Sequence, residues 1–440
     1  MGSLSPYFSA DFGIDNAQRL VTPEAANGTC NLTQVHILHR HGSRYPTSGS
    51  PTEKVAELLR THKRGKDGLW FDGPLAFLNN YEYRVGSELL VPLGRAQLYN
   101  SGVKAATDYG RLAAEDLKAD RPLFLRAGSQ QRIVDSAIAW ADGFWGNSWL
   151  NKTNLEIQIE ERGFNTTLAP NFACSAAVDA FQVQNWVDQY LSNTTMRLQE
   201  HVHGAQLTPA LVYGMQQLCS YDTVAFGHSD FCGLFTEQDW RGYEFAWDQA
   251  FYNNHGPGSP VGPAMGLGWV NEVCLDRLLL TKLVARMTRM GWESLTQTSE
   301  NATLNSNPAL FPLDRAIYAD FTHDSVLTSV LATLQLKEFG IAPSLSDERR
   351  AFRSSLIVPF AARLVVEVWR CPTSPLVKRR VPVPLGPERS YVRLKLNDAI
   401  VPLRQLPPCE DRADGLCDLD HFYAAIGERN DKNWWARCQT

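Results

Sequence analysis

Gln34-Val35-His36-Ile37-Leu38-His39-Arg40-His41-Gly42-Ser43-Arg44-Tyr45-Pro46 joins an apolar, β-branched run to a basic turn that holds one glycine. Apolar and polar residues alternate up to His39, which is the period of a strand. Two later stretches have the same form. Pro122-Leu123-Phe124-Leu125-Arg126 precedes Ser129, an N-cap candidate, and then Ile133, Val134, Ala137, Ile138 and Ala141 at helical spacing. Residues 316–321 lead through Thr322-His323-Asp324 into Val326, Leu327, Val330, Leu331 and Leu334 on one helical face. Strands feeding helices predict an α/β sheet covered by helices. Between about 150 and 300 helical stretches dominate (176–201 and 208–218), followed by a Gly/Pro-rich segment at 255–260. This predicts a largely helical cap inserted into the α/β domain. The expected division is 1–150 with 300–440 for the sheet domain and 151–299 for the cap. Strand-like runs return at 362–368 and 391–396, and Asn397-Asp398 predicts a hairpin turn.

The chain has 440 residues, 44% of them apolar and 20% charged, enough hydrophobic mass to exclude a mostly disordered protein. Its 42 basic and 47 acidic residues sum to −5, so no basic excess points to nucleic acid or to an anionic membrane. No uninterrupted apolar run reaches the roughly 18 residues of a membrane span. Nine cysteines occur without a C-x-x-C pair, which removes the zinc and thioredoxin spacings. Six N-x-[ST] sequons, at Asn27, Asn31, Asn151, Asn165, Asn193 and Asn301, favour a glycosylated surface. Sequons and cysteines together predict a secreted protein in an oxidising compartment. The first residues lack a signal peptide's basic and apolar regions, so a leader is expected to have been removed. The odd cysteine count leaves one thiol unpaired, and Cys274, in a helix-like stretch, is the candidate.

Arg40 to Pro46 carries the chemistry. It opens where α/β sheets place ligands, at the C-terminal end of a strand. Arg40 and Arg44 flank His41, and guanidinium forks match phosphate oxygens and offset a dianion's repulsion of a nucleophile. Gly42 leaves room for close backbone approach. A surface turn with two solvated arginines is the bland alternative. Likewise Asp324 could merely cap the following helix, and Arg132 could face solvent. His36, His39 and His41, or His201 and His203, resemble metal clusters, yet neither group has a nearby cysteine or an H-E-x-x-H pattern. The stretch 227–231 lacks the closing glycine of a nucleophile elbow, and no Walker A sequence occurs. No metal and no cofactor is expected.

Arg40-His41-Gly42-Ser43-Arg44-Tyr45-Pro46 resembles the R-H-G-x-R-x-P signature of the histidine acid phosphatases, and nearly the whole chain is similar to their fungal phytase branch. Ordered matches include Phe71-Asp72-Gly73-Pro74, Cys219-Ser220-Tyr221-Asp222-Thr223, Phe231-Cys232-Gly233-Leu234-Phe235-Thr236, residues 318–324, 358–361 and 435–438. The resemblance implies a large α/β domain with a central mixed sheet flanked by helices, plus a smaller, mainly helical cap. It implies a phosphomonoester substrate, inorganic phosphate as product and a monomer. It assigns His41 as nucleophile, Arg40, Arg44, Arg132 and His323 to the phosphate, and Asp324 as the acid for the leaving group. As an acid Asp324 must be held protonated, which predicts activity on the acidic side of neutrality. The resemblance also implies disulfides Cys30–Cys371, Cys174–Cys438, Cys219–Cys232 and Cys409–Cys417, with Cys274 free.

One departure divides the expectations. Ala250 and Phe251 stand where the family has a lysine pair. Either a phytase uses other cations, such as Lys54, Lys63 or Arg241, or the enzyme prefers a less charged phosphomonoester. A glycoprotein that binds phosphorylated ligands without turnover is the remaining reading.

Overall fold

The computed structural model describes residues 1–10, 30–62, 65, 68–177, 183–273, 298–347, 349–372, 388–429 and 434–439. Cys274, Asn27 and Lys63 lie outside them. An eight-stranded mixed sheet forms the centre. Its strands are β1 (Asn31–Arg40), β3 (Leu123–Gly128), β4 (Thr153–Gln158), β6 (Ile317–Thr322), β7 (Arg363–Pro372), β8 (Glu388–Leu396), β9 (Ala399–Val401) and β10 (Cys417–Asp418). A separate pair joins β2 (Trp70–Phe71) to β5 (Val202–His203). The order is β10-β8-β7-β1-β6-β3-β4, with β9 beside β8. Strands β1, β6, β3 and β4 are mutually parallel, whereas β7, β8 and β10 continue the sheet antiparallel.

Every residue of β3 and β6 is buried, as expected of parallel strands covered on both faces. The C-terminal ends of three neighbours therefore coincide: Arg40 pairs with Thr322, and Phe321 with Ala127. Beneath them Arg126 is clamped by Asp320 (2.8 Å) and Glu272 (2.8 Å), all three fully buried. After α1 (Pro51–Thr61), helix α2 (Pro92–Lys118) crosses α3 (Gln131–Trp145) at very close range. A Cβ on Gly102 would lie 2.0 Å from the Trp140 carbonyl oxygen, and one on Gly143 2.0 Å from that of Tyr99.

The helical part comprises α4 (Gln184–Tyr190), α5 (Ser192–Gln199), α6 (Pro209–Phe226) and α7 (Glu237–Asn254). Helix α8 (Gly262–Asn271) packs on α9 (Asp324–Leu334). The cap boundary expected at residue 151 falls ahead of β4, which pairs with β3 in the main sheet. Ser129 is not the N-cap of α3; that position is Gln130, without a side-chain cap, because the Ser129 hydroxyl accepts from the Glu160 amide at 3.0 Å. Asn397 and Asp398 both have positive φ and turn β8 into β9, as the hairpin reading anticipates. The disulfides are Cys30–Cys371, Cys174–Cys438, Cys219–Cys232 and Cys409–Cys417. Among the described residues no helix is long and apolar enough to cross a membrane.

Candidate active site

His41 follows β1, His323 follows β6, and Arg132 lies in the first turn of α3, the helix after β3. The chain thus delivers all three to one edge of the sheet, and a cavity of about 500 Å3 opens there. Arg40, His41, Arg44, Arg132, His323 and Asp324 all line it.

The His41 ring is buried, and its Nδ1 lies 2.8 Å from the carbonyl oxygen of Gly42. A carbonyl can only accept, so Nδ1 carries the proton and Nε2 keeps its lone pair. Burial, then Arg40, Arg132, Arg44 and His323, push the imidazole well below its ordinary pKa. His41 is a neutral base with one defined tautomer. The ring of His323 stands edge-on to it, centroids 6.0 Å apart. Gly42 is required for a different approach from the one anticipated. A Cβ there would lie 2.3 Å from the Gly94 carbonyl oxygen, so the glycine admits the backbone of α2.

The guanidinium of Arg40 is fully buried and donates to the carbonyls of Ser3 and Val358. Its other terminal nitrogen meets Asp324 Oδ2 at 2.6 Å. Arg44 donates to the Tyr45 carbonyl at 2.8 Å. Arg132 reaches Glu88 Oε2 at 2.7 Å, and burial, with Arg44 beside it, lowers its pKa to about 10. Asp324 is the first residue of α9, not its cap, and accepts from the Ser325 amide at 2.9 Å. Burial pushes its carboxyl up, but Arg40, Arg44 and His323 outweigh that and hold it below the usual carboxylate range. The expectation of a carboxyl kept protonated by its surroundings is therefore corrected: in the free site Asp324 is an anion.

Two carboxylates escaped the sequence reading. Glu160 is completely buried and accepts from His323 Nε2 at 2.8 Å and from the Gln130 side chain at 2.9 Å, which fixes the His323 ring. Glu88, at a positive φ of 65°, accepts from the Ser48 amide at 2.9 Å while pairing with Arg132. Both sit in polar loops without a motif. Of the cations suggested to replace the lysine pair, neither Lys54 nor Arg241 lines the cavity, and Arg241 instead pairs with Glu237 at 2.8 Å. Phe251 lines it directly, whereas Ala250 faces a neighbouring cavity. Among the described residues no group of three or more His, Cys, Asp or Glu side chains is placed to hold a metal ion. His201 and His203 share the Asp72 carboxylate, at 2.7 and 3.0 Å.

A single-tautomer imidazole with three guanidiniums in the same cavity, at the C-terminal ends of the sheet's parallel strands, defines an α/β enzyme that gathers positive charge around a nucleophilic nitrogen. Residues 31–397 match the model of the histidine phosphatase superfamily, branch 2. The chain belongs to that family. It is 31% identical to Phytase A of Aspergillus oryzae over 463 aligned residues, covering 99% of this chain and 90% of that one. Phytase A of Aspergillus fumigatus is 30% identical, with 99% and 90% covered. The crystal structure of the phytase from D. castellii superposes with a TM-score of 0.71 at 22% identity, over 97% of this chain and 84% of that one. The Bifidobacterium longum multiple inositol polyphosphate phosphatase, in complex with phosphate, gives 0.68 at 13% identity, over 97% of both. These two structures share the fold.

Proposed function

We propose that this chain is a phytase-type histidine acid phosphatase, a phosphoric monoester hydrolase working through a phosphohistidine. The observation that supports it most is the His41 tautomer, with its free Nε2 among Arg40, Arg44 and Arg132. The Nε2 lone pair attacks phosphorus as the ester P–O bond breaks. The substrate enters as the monoanion of its phosphomonoester, its proton passes through the Asp324 carboxylate to the leaving oxygen, and the alcohol departs. Phosphorylated His41 is then cationic, and its Nδ1–H donates to the Gly42 carbonyl more strongly than before. Water attacks the P–N bond, gives its proton to Asp324, and releases inorganic phosphate and neutral His41. The arginines offset charge on the transferring group without reorganising. No cofactor takes part. The sheet domain, with β4, supplies the chemistry and the helical part the cavity's outer wall.

A secreted, glycosylated monomer is part of the proposal. Four disulfides support secretion, and the exposed sequon asparagines Asn31, Asn151, Asn165 and Asn193 support glycosylation; Asn301 is half-buried.

The deciding experiment uses phosphate-labelled ester and an alkaline quench, under which phosphohistidine survives. Wild type is expected to retain label on protein during turnover. His41→Ala is expected to retain none and to lose at least about 10³-fold in kcat with unchanged circular dichroism. Activity within tenfold of wild type in that variant rejects the assignment.

A further inference from the structure

Glu160 holds a place in the site that the hydrolysis steps leave unused. Its side chain is fully buried, and the glycine that ends β3 admits it: a Cβ on Gly128 would lie 1.9 Å from Glu160 Oε1. Hydrogen bonds tie it to the turn between β3 and α3. The Glu160 amide donates to Ser129 Oγ at 3.0 Å, the Gln130 side chain donates to Oε2 at 2.9 Å, and the Gln130 amide to Oε1 at 3.4 Å. The fourth contact is His323 Nε2, 2.8 Å from Oε2. The His323 ring lines the catalytic cavity with 13% of its surface open, and with Nε2 taken, Nδ1 is the nitrogen a ligand meets.

Three proton arrangements fit this contact. A neutral imidazole protonated on Nε2 leaves a bare lone pair on Nδ1, which repels the oxygens of a phosphate. A protonated Glu160 donating to a bare Nε2 would free Nδ1–H for the ligand. Amide donors on both carboxylate oxygens stabilise the anion and oppose that acid form. In the third arrangement, carboxylate with imidazolium, Nε2–H goes to Glu160 and Nδ1–H goes to the phosphate. It also gives a fully buried carboxylate the charged partner it needs, since Gln130 and Ser129 are neutral.

The charges around the pair agree with this. His41 from the turn after β1, Asp324 on α9 and Arg132 on α3 share the cavity with Arg40 and Arg44. His323 acts electrostatically on His41 and Asp324, and Glu160 on Arg132. Asp324 is already taken by Arg40 at 2.6 Å, and Glu88 by Arg132 at 2.7 Å. Glu160 is thus the anion left for a cationic His323.

We propose that Glu160 is a positioning residue that holds His323 as an imidazolium when phosphate is bound, so that His323 donates Nδ1–H to the anion as a fourth cation of the site. The inference rests on the hydrolase reading and adds to it a group that never touches the substrate.

The probe is sulfate, a dianion that neither reacts nor titrates near neutrality, so every pH effect belongs to the protein. Wild type labelled with 15N-histidine is saturated with sulfate at pH 7, and the His323 signals are assigned by their loss in His323→Asn. They are expected to report two protonated ring nitrogens, and a bare Nδ1 or Nε2 overturns the inference. Glu160→Gln keeps an acceptor for Nε2–H and removes the charge. Its sulfate Kd is expected to rise at least about tenfold at pH 7 and less than about threefold at pH 4.5, where an imidazole is protonated without help. Equal losses at both pH values mark a structural role and overturn the inference. A pH-dependent loss that persists in the His323→Asn background places the effect on Arg132 and overturns it too. In the Asp324→Asn background the difference is expected to remain; its disappearance assigns the proton to Asp324 and counts the same way. Wild type that binds no sulfate at either pH rejects the phosphate site itself, and the hydrolase reading with it.

Discussion

At the scale of single residues, charge placement governs what the site does. Glu88 occupies Arg132 and the Ser48 amide, two donors that an incoming phosphate would use. Glu88→Gln keeps an acceptor for Ser48 and removes the negative charge beside Arg132. Inhibition constants for inorganic phosphate are expected to fall by about three- to tenfold, corresponding to roughly 1 kcal/mol for one partly exposed pair; an unchanged or weaker constant contradicts this role. Asp324 bears on pH. Arg40 holds it ionised in the free site, so the proton for the leaving oxygen arrives with the substrate, as the monoanion of a phosphomonoester whose second pKa is about 6. Raising pH through that value removes the monoanion, and kcat/KM is expected to fall tenfold per unit above it. His41, depressed well below its ordinary value by burial and the arginines, extends the neutral range of the nucleophile toward lower pH. Profiles for ethyl and p-nitrophenyl phosphate should shift with each ester's own second pKa. A limb at one fixed pH for both assigns it to the enzyme.

Among elements, the contact that sets the catalytic loop is the first turn of α2. Gly94 there faces Ser43: a Cβ would lie 2.0 Å from its carbonyl oxygen and 2.8 Å from its amide nitrogen. Gly110, in the same helix, has nothing within 4 Å of its Cβ position. Alanine at the two sites should therefore have opposite effects. Gly110→Ala is expected to stabilise by about 0.5–1 kcal/mol through helix propensity, with unchanged activity. Gly94→Ala is expected to cost about 1–3 kcal/mol and to lower kcat, because α2 must move off the loop carrying His41. Denaturant midpoints and kcat for the pair check this, and equal signs would refute it. Elements differ in how legible they were. Strand β1 could be read from the alternation of its apolar and polar residues, β3 and β6 from the apolar runs that burial on both faces demands, and each ends at a turn bearing a titratable or basic group. Strand β4, Thr153-Asn154-Leu155-Glu156-Ile157-Gln158, could not. It closes one edge of the sheet and needs few apolar residues, so it was assigned to the cap. Glu160, two residues beyond it, was missed for the same reason, since its partners come from β6 and α3, distant in sequence.

For the molecule as a whole, the order of strands creates the problem that the disulfides answer. Among the described strands, β1 pairs with β6 and β7, whose residues lie some 280 to 340 positions later. Pairing it on either side requires closing very long loops before a ladder forms. Cys30–Cys371 spans 341 residues and ties the start of β1 to the end of β7, so it restricts the unfolded chain where that cost is largest. Cys219–Cys232 closes 13 residues next to the Tyr221 wall and restricts far less. His41 lies at the other end of β1, about 35 Å away at roughly 3.3 Å per strand residue. Stability and catalysis should separate accordingly. The double variant Cys30→Ala/Cys371→Ala is expected to lose about 2–5 kcal/mol, with the thermal midpoint falling several degrees, while kcat/KM at 25 °C stays within twofold of wild type. Breaking the short bridge with Cys219→Ala/Cys232→Ala should cost less stability and change KM more, because α6 carries Tyr213 and Tyr221, which line the cavity. A larger stability loss from the short bridge would mean that these crosslinks act on the folded state, through strain or packing, and not through the unfolded chain.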